Sequence, residues 1–129
     1  MLFEILARDY GEAVAFMTDH AWSPASPPEL KQHGRETVST TRPAVTRCDF
    51  MACDGFDVMG RLGEIHLPTL VVVGAEDRLT PPKYSEYLVR SLAGAKLERI
   101  EGAGHFVSLE QADAVNRALR EFLGTFGRS

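Results

Sequence analysis

The stretch VVVGAEDRLTPP, residues 71–82, constrains the fold more than any other part of the chain. It includes the end of a β-branched run, residues 69–73, that is apolar at successive positions and bounded by a proline and a glycine. Strands that are apolar on both faces are typical of parallel sheets covered by helices on each side. The run therefore predicts a buried strand. The acidic residues Glu76 and Asp77 follow it after Gly74 and Ala75, at the edge of the predicted sheet.

The rest of the second half predicts an alternation of helix and strand. Apolar residues spaced four apart follow the first strand, and Thr80 stands where it could cap that helix. Residues 95–102 alternate well enough for a second, more exposed strand, and a final amphipathic helix ends at Gly124. The order of strand, helix, strand and helix indicates a βαβ crossover closed by a last helix.

The first sixty residues predict a broken helical region. Residues 23–28 (SPASPP) must form a turn, because their three prolines cannot lie inside a helix. One helix is expected before this turn and two after it, the last opened by Pro43. The change in character divides the chain into a helical segment, residues 1–60, and an α/β segment, residues 61–129.

Composition excludes several classes of function. The net charge is −4, the pI is about 5.5, and the basic residues are scattered, so no nucleic-acid partner is expected. The longest apolar run, residues 67–73, is too short to span a membrane, and no secretory leader is recognised. Cys48 and Cys53 lack metal-ligand spacing, and no nucleotide-binding motif occurs. We expect a cytoplasmic protein with reduced thiols and with no metal or cofactor.

Two residues suited to chemistry, Asp77 and His105, each follow a predicted strand. His105 ends the motif GAGH, in which Gly102 and Gly104 allow a sharp backbone turn. Because neighbouring parallel strands end at the same edge of a sheet, the two side chains are expected to meet there, although 28 positions separate them (105 − 77). An aspartate that accepts the Nδ1 proton of an imidazole fixes its tautomer and stabilises its charged form.

These residues also admit simpler interpretations. Asp77 alone could cap the following helix, and Glu76 is a rival acid that is better suited to face solvent. Ser108 lies close to His105, but with Gln111 it fits a capping box rather than a nucleophile. The remaining histidines lack a comparable sequence context and are expected to be structural or surface residues: His20, His33 and His66.

The segments IHLPTLVVVGAEDRLTPP and LERIEGAGHFVSLEQADAVNRALREFL resemble the C-terminal half of an α/β-hydrolase. The helical first half resembles the end of the cap of that family. The resemblance implies a partial α/β-hydrolase fold, in which Asp77 is the acid and His105 the base of the catalytic triad. It also implies hydrolysis of a small-molecule ester or related acyl compound, although some members of the family cleave C–C or C–halogen bonds.

The nucleophile of that family is absent from these 129 residues. No serine, cysteine or aspartate stands in the Gly-x-Ser-x-Gly arrangement of a nucleophile elbow. Without an elbow and its oxyanion hole, the isolated chain is expected to be inactive, as half an enzyme. The chain could be a truncated piece, the product of a split gene or a genuine short protein. The alternatives are a half-enzyme complemented by another chain and a non-catalytic, self-associating module.

A sheet of two strands is not self-sufficient. The strand from Thr69 to Val73 would leave unpaired backbone groups along its outer edge. We therefore expect a homodimer in which this strand pairs with its own copy in antiparallel orientation, which forms a four-stranded sheet.

Overall fold

The structure is a computed structural model that describes residues 2–127. Its elements are α1 (Leu2–Arg8), α2 (Tyr10–Ala21), α3 (Pro28–Ser39), α4 (Pro43–Gly55), a 3-10 helix (Met59–Glu64), β1 (Leu70–Gly74), α5 (Pro82–Ser91), β2 (Lys96–Ile100), α6 (Val107–Glu110) and α7 (Ala112–Gly124). The predicted order, helices and then strand, helix, strand and helix, is confirmed, but two helices rather than one precede the turn at residues 23–28, and the 3-10 helix and the short α6 are additional. Within residues 2–127, no helix has the length and apolarity needed to cross a membrane.

Local sequence signals account for most helix starts. The Asp9 carboxylate accepts a hydrogen bond from the Glu12 N–H at 3.0 Å, which caps the start of α2. Pro28, Pro43 and Pro82 each open a helix. Proline is favoured there because its fixed φ suits a helix and its missing N–H has no partner in the first turn.

The sheet is a parallel pair of short strands. Val71 lies opposite Leu97, and Gly74 lies opposite Ile100. α5 connects the strands and packs against both of them, and α7 also contacts both. This is the predicted βαβ unit, and it brings the carboxyl ends of β1 and β2 to one edge.

The chain forms two compact units. The first comprises residues 2–19 and 27–58. The Tyr10 hydroxyl donates to the Val38 carbonyl at 3.1 Å and lies 2.9 Å from Thr46 Oγ1, so it ties α2 to α3 and α4. The aliphatic core of this unit lies on α1 and α2 and consists of Leu6, Ala13, Val14 and Met17.

The second unit comprises residues 20–26 and 59–127. Its buried cluster is Ile100, Ala103 and Val115, with Val72 packed against it. The division predicted at residue 60 stays a prediction. The structure adds that the short segment 20–26, which precedes α3, packs with the α/β residues.

Two predicted helix caps are wrong. α5 begins after Pro81 without a side-chain cap, and the Thr80 hydroxyl donates instead to the Asp77 carboxylate. A carboxylate is a stronger acceptor than a neutral group, so the hydroxyl is engaged there. Ser108 lies inside α6, and α7 begins after Gln111 with no side-chain cap, because the extra turn of helix displaces the expected boundary.

Candidate active site

The loop after β1 is shaped by the side chain of Asp77, a buried residue. Its Oδ1 atom accepts hydrogen bonds from the Leu79 N–H at 2.9 Å and from the Thr80 N–H at 2.8 Å. Asp77 therefore closes a tight turn of the kind that short acidic side chains favour. One carboxylate oxygen is thus committed to the loop, which leaves Oδ2 for other contacts.

Asp77 Oδ2 lies 3.0 Å from Nδ1 of His105. The aspartate side chain is 5% exposed and the histidine side chain 37%, so a buried carboxylate supports a partly accessible imidazole. Thr80 Oγ1 donates to the same Oδ2 atom at 2.8 Å and lies 3.1 Å from His105 Nδ1. The two residues that the sequence singled out therefore meet, and Thr80 joins them as a third member.

This geometry defines what the imidazole can do. Because Asp77 Oδ2 is an acceptor, the hydrogen-bond pattern favours a proton on His105 Nδ1, which leaves Nε2 unprotonated in the neutral ring. An imidazole in this tautomer can take up a proton at Nε2, and a neighbouring carboxylate stabilises the resulting imidazolium. The arrangement is suited to general acid–base chemistry.

The loops after the two strands are in direct backbone contact. The Ala75 N–H donates to the Ile100 carbonyl at 2.8 Å, and the Glu76 N–H donates to the Ala103 carbonyl at 2.9 Å. A Cβ atom on Gly74 would lie 2.1 Å from the Gly104 carbonyl oxygen, so only glycine fits at the end of β1. Because of this close approach, the two loops are expected to move together as one unit.

The turn before His105 needs its glycines for two different reasons. Gly102 has φ of 70°, a left-handed conformation that other residues rarely adopt. Gly104 is required by space, because a Cβ atom there would lie 2.5 Å from the Ala21 carbonyl oxygen and 2.7 Å from the Ser23 nitrogen. The His105 N–H donates to that same Ala21 carbonyl at 2.6 Å. The histidine is thus packed against the segment 20–26.

Sequence reasoning missed the polar residues behind the histidine. Glu76, expected to face solvent, is half-buried, and its carboxylate accepts a hydrogen bond from the Ser23 hydroxyl. The Glu110 carboxylate accepts from the Ser23 N–H at 2.8 Å, from the Gly104 N–H at 2.9 Å and from the Ser26 hydroxyl. No motif or periodicity marks these partners, since more than 80 residues separate Glu110 from both serines, with separations of 87 and 84.

Aromatic rings adjoin the same region. Trp22 is 3% exposed, and its ring centroid lies 4.7 Å from that of Phe106. The Phe106 ring in turn meets the His105 ring edge-on at 5.6 Å. Tilted and edge-on contacts are the favoured geometries for such rings. His33, in α3, and His66, in the segment before β1, are by contrast exposed and distant in sequence from this loop.

Comparison with known proteins gives a consistent result. A model of the alpha/beta hydrolase family matches residues 2–118. A thermophilic esterase of known structure superposes with a TM-score of 0.87 at 35% identity, over 98% of this chain and 50% of that one. The chain is also 38% identical over 72 residues to a pimeloyl-[acyl-carrier protein] methyl ester esterase of Neisseria meningitidis, which covers 56% of this chain and 28% of the esterase.

A further relative is 2-hydroxy-6-oxo-6-phenylhexa-2,4-dienoate hydrolase of Burkholderia cepacia, which is 41% identical over 68 residues, 53% of this chain and 24% of that enzyme. The chain therefore spans about half the length of the thermophilic esterase and less than a third of the length of either curated relative.

Proposed function

This chain belongs to the α/β-hydrolase family, and we propose that it supplies the acid and the base of an ester or acyl hydrolase. Asp77 is the acid and His105 is the base. The observation that carries this proposal is the 3.0 Å separation of Asp77 Oδ2 and His105 Nδ1 at the carboxyl ends of adjacent parallel strands. The names of the two esterases among the similar proteins support an ester as the substrate class.

In the proposed reaction, His105 Nε2 takes the proton of a serine hydroxyl while the serine oxygen attacks the ester carbonyl. The same proton then passes from Nε2 to the leaving alkoxide as the C–O bond breaks. Water then attacks the acyl-enzyme by the same two steps, which releases the carboxylic acid product and restores the serine. Asp77 remains ionised throughout, and it orients the ring and stabilises the imidazolium between proton transfers.

The nucleophile in this proposal comes from polypeptide outside these 129 residues, because no nucleophile elbow occurs within them.

The outer edge of β1 is suited to receive that polypeptide. The Thr69 carbonyl accepts from the Lys96 N–H, and the Ala75 N–H donates to the Ile100 carbonyl, so the alternation of a parallel ladder directs the backbone of Val72 away from β2. β1 (LVVVG) bears no charge, whereas three of the five residues of β2 are charged. Charged edge strands resist pairing and apolar ones favour it.

Self-association through this edge, the homodimer expected from the sequence, is the second candidate. The same apolar edge favours it. Sedimentation velocity of the isolated chain at micromolar concentration separates the two: a stable dimer that Val72→Pro dissociates supports self-association. A monomer that gains a partner only when the missing half is added supports complementation.

A chimera tests the proposed catalytic role. The half of the thermophilic esterase that this chain does not match, joined ahead of this chain, would supply an elbow. The half that this chain replaces is 35% identical to it. We expect fluorophosphonate labelling and hydrolysis of p-nitrophenyl butyrate. His105→Ala should lower kcat by about 10³-fold or more, and Asp77→Asn by a similar order, as for other catalytic triads.

His66→Ala is the matched control, because His66 is exposed and lies outside the site. It should leave kcat unchanged. A folded chimera that labels with fluorophosphonate and retains full turnover with His105→Ala would contradict the proposal. Activated esters react slowly with free imidazole, so labelling is required together with hydrolysis.

A further inference from the structure

We propose that Glu110 is a positioning residue: its carboxylate fastens the backbone before His105 to residues 21–26 and thereby sets the place of the imidazole. This inference rests on the proposed role of His105 as the base. Glu110 does not touch the reacting atoms, and it acts through Gly104 and Ser23.

The carboxylate of Glu110 divides its hydrogen bonds between two segments. Oε1 accepts from the Gly104 N–H at 2.9 Å. Oε2 accepts from the Ser23 N–H at 2.8 Å and from the Ser26 hydroxyl. Hydrogen bonds to an ionised acceptor are stronger than those between neutral groups. Glu110 thus links two segments. Its Oε1 atom binds the turn that precedes His105, and its Oε2 atom binds Ser23 and Ser26 in the segment against which that turn packs.

A second contact joins the same two segments. The His105 N–H donates to the Ala21 carbonyl at 2.6 Å, at a point where Gly104 has no space for a Cβ atom. Two consecutive backbone amides are therefore fixed, that of Gly104 by Glu110 and that of His105 by Ala21. The path from Glu110 to the imidazole is short, because Gly104 immediately precedes His105.

A purely structural role in the local helices does not account for these contacts. Glu110 ends α6, which is only four residues long, and α7 begins after Gln111. A carboxylate placed there to stabilise α7 would accept from the first N–H groups of that helix. The hydrogen bonds that Glu110 accepts come instead from Gly104, Ser23 and Ser26.

The consequence for chemistry follows from the geometry of the acid–base pair. Asp77 is fixed by its own loop, so a displaced histidine backbone would lengthen the 3.0 Å separation of Asp77 Oδ2 and His105 Nδ1. A displacement of about 1 Å at a catalytic group can cost about 100-fold in rate. Glu110 variants should therefore lower kcat and leave KM nearly unchanged.

The first experiment uses the chain without any nucleophile. Glu110→Gln keeps the size of the side chain but loses the charge and replaces one acceptor oxygen by a donor. The low-field proton resonance of His105 Nδ1, assigned with His105→Gln, reports the hydrogen bond to Asp77. Trp22 is the single tryptophan and packs on Phe106, so its emission reports the adjacent segment. We expect the proton resonance to disappear through solvent exchange and the emission to shift to longer wavelength.

Glu121→Gln is the matched control, because Glu121 is exposed on α7, and it should change neither signal. If Glu110→Gln does not fold, Ser26→Ala decides, since it removes a single hydrogen bond to Oε2. It should weaken the same proton resonance in a folded chain. An unchanged resonance in folded Glu110→Gln, or in Ser26→Ala where the former does not fold, would overturn the proposal.

The second experiment uses the chimera described above. Glu110→Gln should lower kcat by about 10- to 100-fold with KM within a factor of about two, and Glu110→Asp should restore part of the loss. The two proposals fail separately. Full activity of the His105→Ala chimera would contradict the catalytic role of His105, and the proton resonance would still test the positioning role of Glu110. An unchanged resonance in folded Glu110→Gln removes the positioning while His105→Ala still tests catalysis.

Discussion

The two loops that meet at the candidate site are stabilised in different ways. The acid loop, residues 75–80, is closed by its own side chain, since Asp77 Oδ1 accepts from the N–H groups of Leu79 and Thr80. The histidine loop, residues 101–106, depends on partners outside the loop, namely Glu110 and the segment 20–26, which is distant in sequence. The turn at Asp77 is therefore specified locally, whereas the histidine loop is specified by contacts from outside the loop. We expect substitutions around the histidine loop to change the positions of both Asp77 and His105, whereas substitutions in the acid loop should have more local effects.

The largest effect is expected where the two loops touch. Gly74→Ala would place a Cβ atom 2.1 Å from the Gly104 oxygen and 2.4 Å from the Ala103 oxygen. Both are backbone atoms, so neither can rotate away, and we expect a loss of about 4 kcal/mol or more in the free energy of unfolding. Urea denaturation followed by circular dichroism measures it.

Gly124→Ala is the control for this substitution, because a Cβ atom there meets nothing within 4 Å. It should be neutral or stabilising by up to about 1 kcal/mol, as alanine for glycine is in a helix. A Gly74→Ala protein as stable as the Gly124→Ala protein would show that the two loops are not in rigid contact.

The same contrast explains how much of the molecule could be predicted from its sequence. β1, α5, β2 and α7 follow from local periodicity and from glycine and proline signals, and the meeting of Asp77 with His105 follows from parallel topology. The partners of the histidine loop could not be predicted. Glu110 and Ser23 are ordinary surface residue types, and only the folded chain brings them within hydrogen-bonding distance.

The misplaced helix caps have a related cause. Thr80 satisfies the local rule for a cap, but its hydroxyl donates to the Asp77 carboxylate three positions earlier, which also faces His105. Local rules predict which residues can cap a helix. They do not predict that a charged acceptor in the preceding turn competes for the same hydroxyl.

The next largest loss of stability is expected at Asp77, where two substitutions separate its role in closing the loop from its role in binding His105. Asp77→Ala leaves the N–H groups of Leu79 and Thr80 without their acceptor, so we expect a loss of about 2–3 kcal/mol. Asp77→Asn retains an amide oxygen for those donors and should cost about 1 kcal/mol or less. Its amide nitrogen then faces His105, so ¹⁵N chemical shifts should show loss of the Nδ1–H tautomer in both variants. Equal stabilities of the two variants would mean that Asp77 Oδ1 does not support the loop.

A smaller loss in the free energy of unfolding is expected at Ser23, in the segment against which the histidine loop packs. The Ser23 hydroxyl donates to Glu76 and accepts from the Ala25 N–H at 3.0 Å, and the residue is 0% exposed. Ser23→Ala should cost about 1–2 kcal/mol, because it leaves a half-buried carboxylate without that donor. Amide hydrogen exchange should increase at Gly104 and His105 and remain unchanged at Leu79. Ser85→Ala, in the middle of α5, controls for removal of a hydroxyl and should be neutral or slightly stabilising.

The smallest effect is expected at Thr80, whose hydroxyl contacts both members of the pair from an exposed position. Thr80→Val keeps the shape and the backbone N–H that Asp77 binds, so the loss in stability should be about 0.5–1 kcal/mol. Thr80→Ser retains the hydroxyl and should behave like the unaltered chain. Without the hydroxyl, the Nδ1 proton of His105 has Asp77 Oδ2 as its single acceptor, and its resonance should move to lower field. A Thr80→Val protein destabilised as much as Ser23→Ala would show that the acid loop depends on the Thr80 hydroxyl as well as on the hydrogen bonds of Asp77 Oδ1.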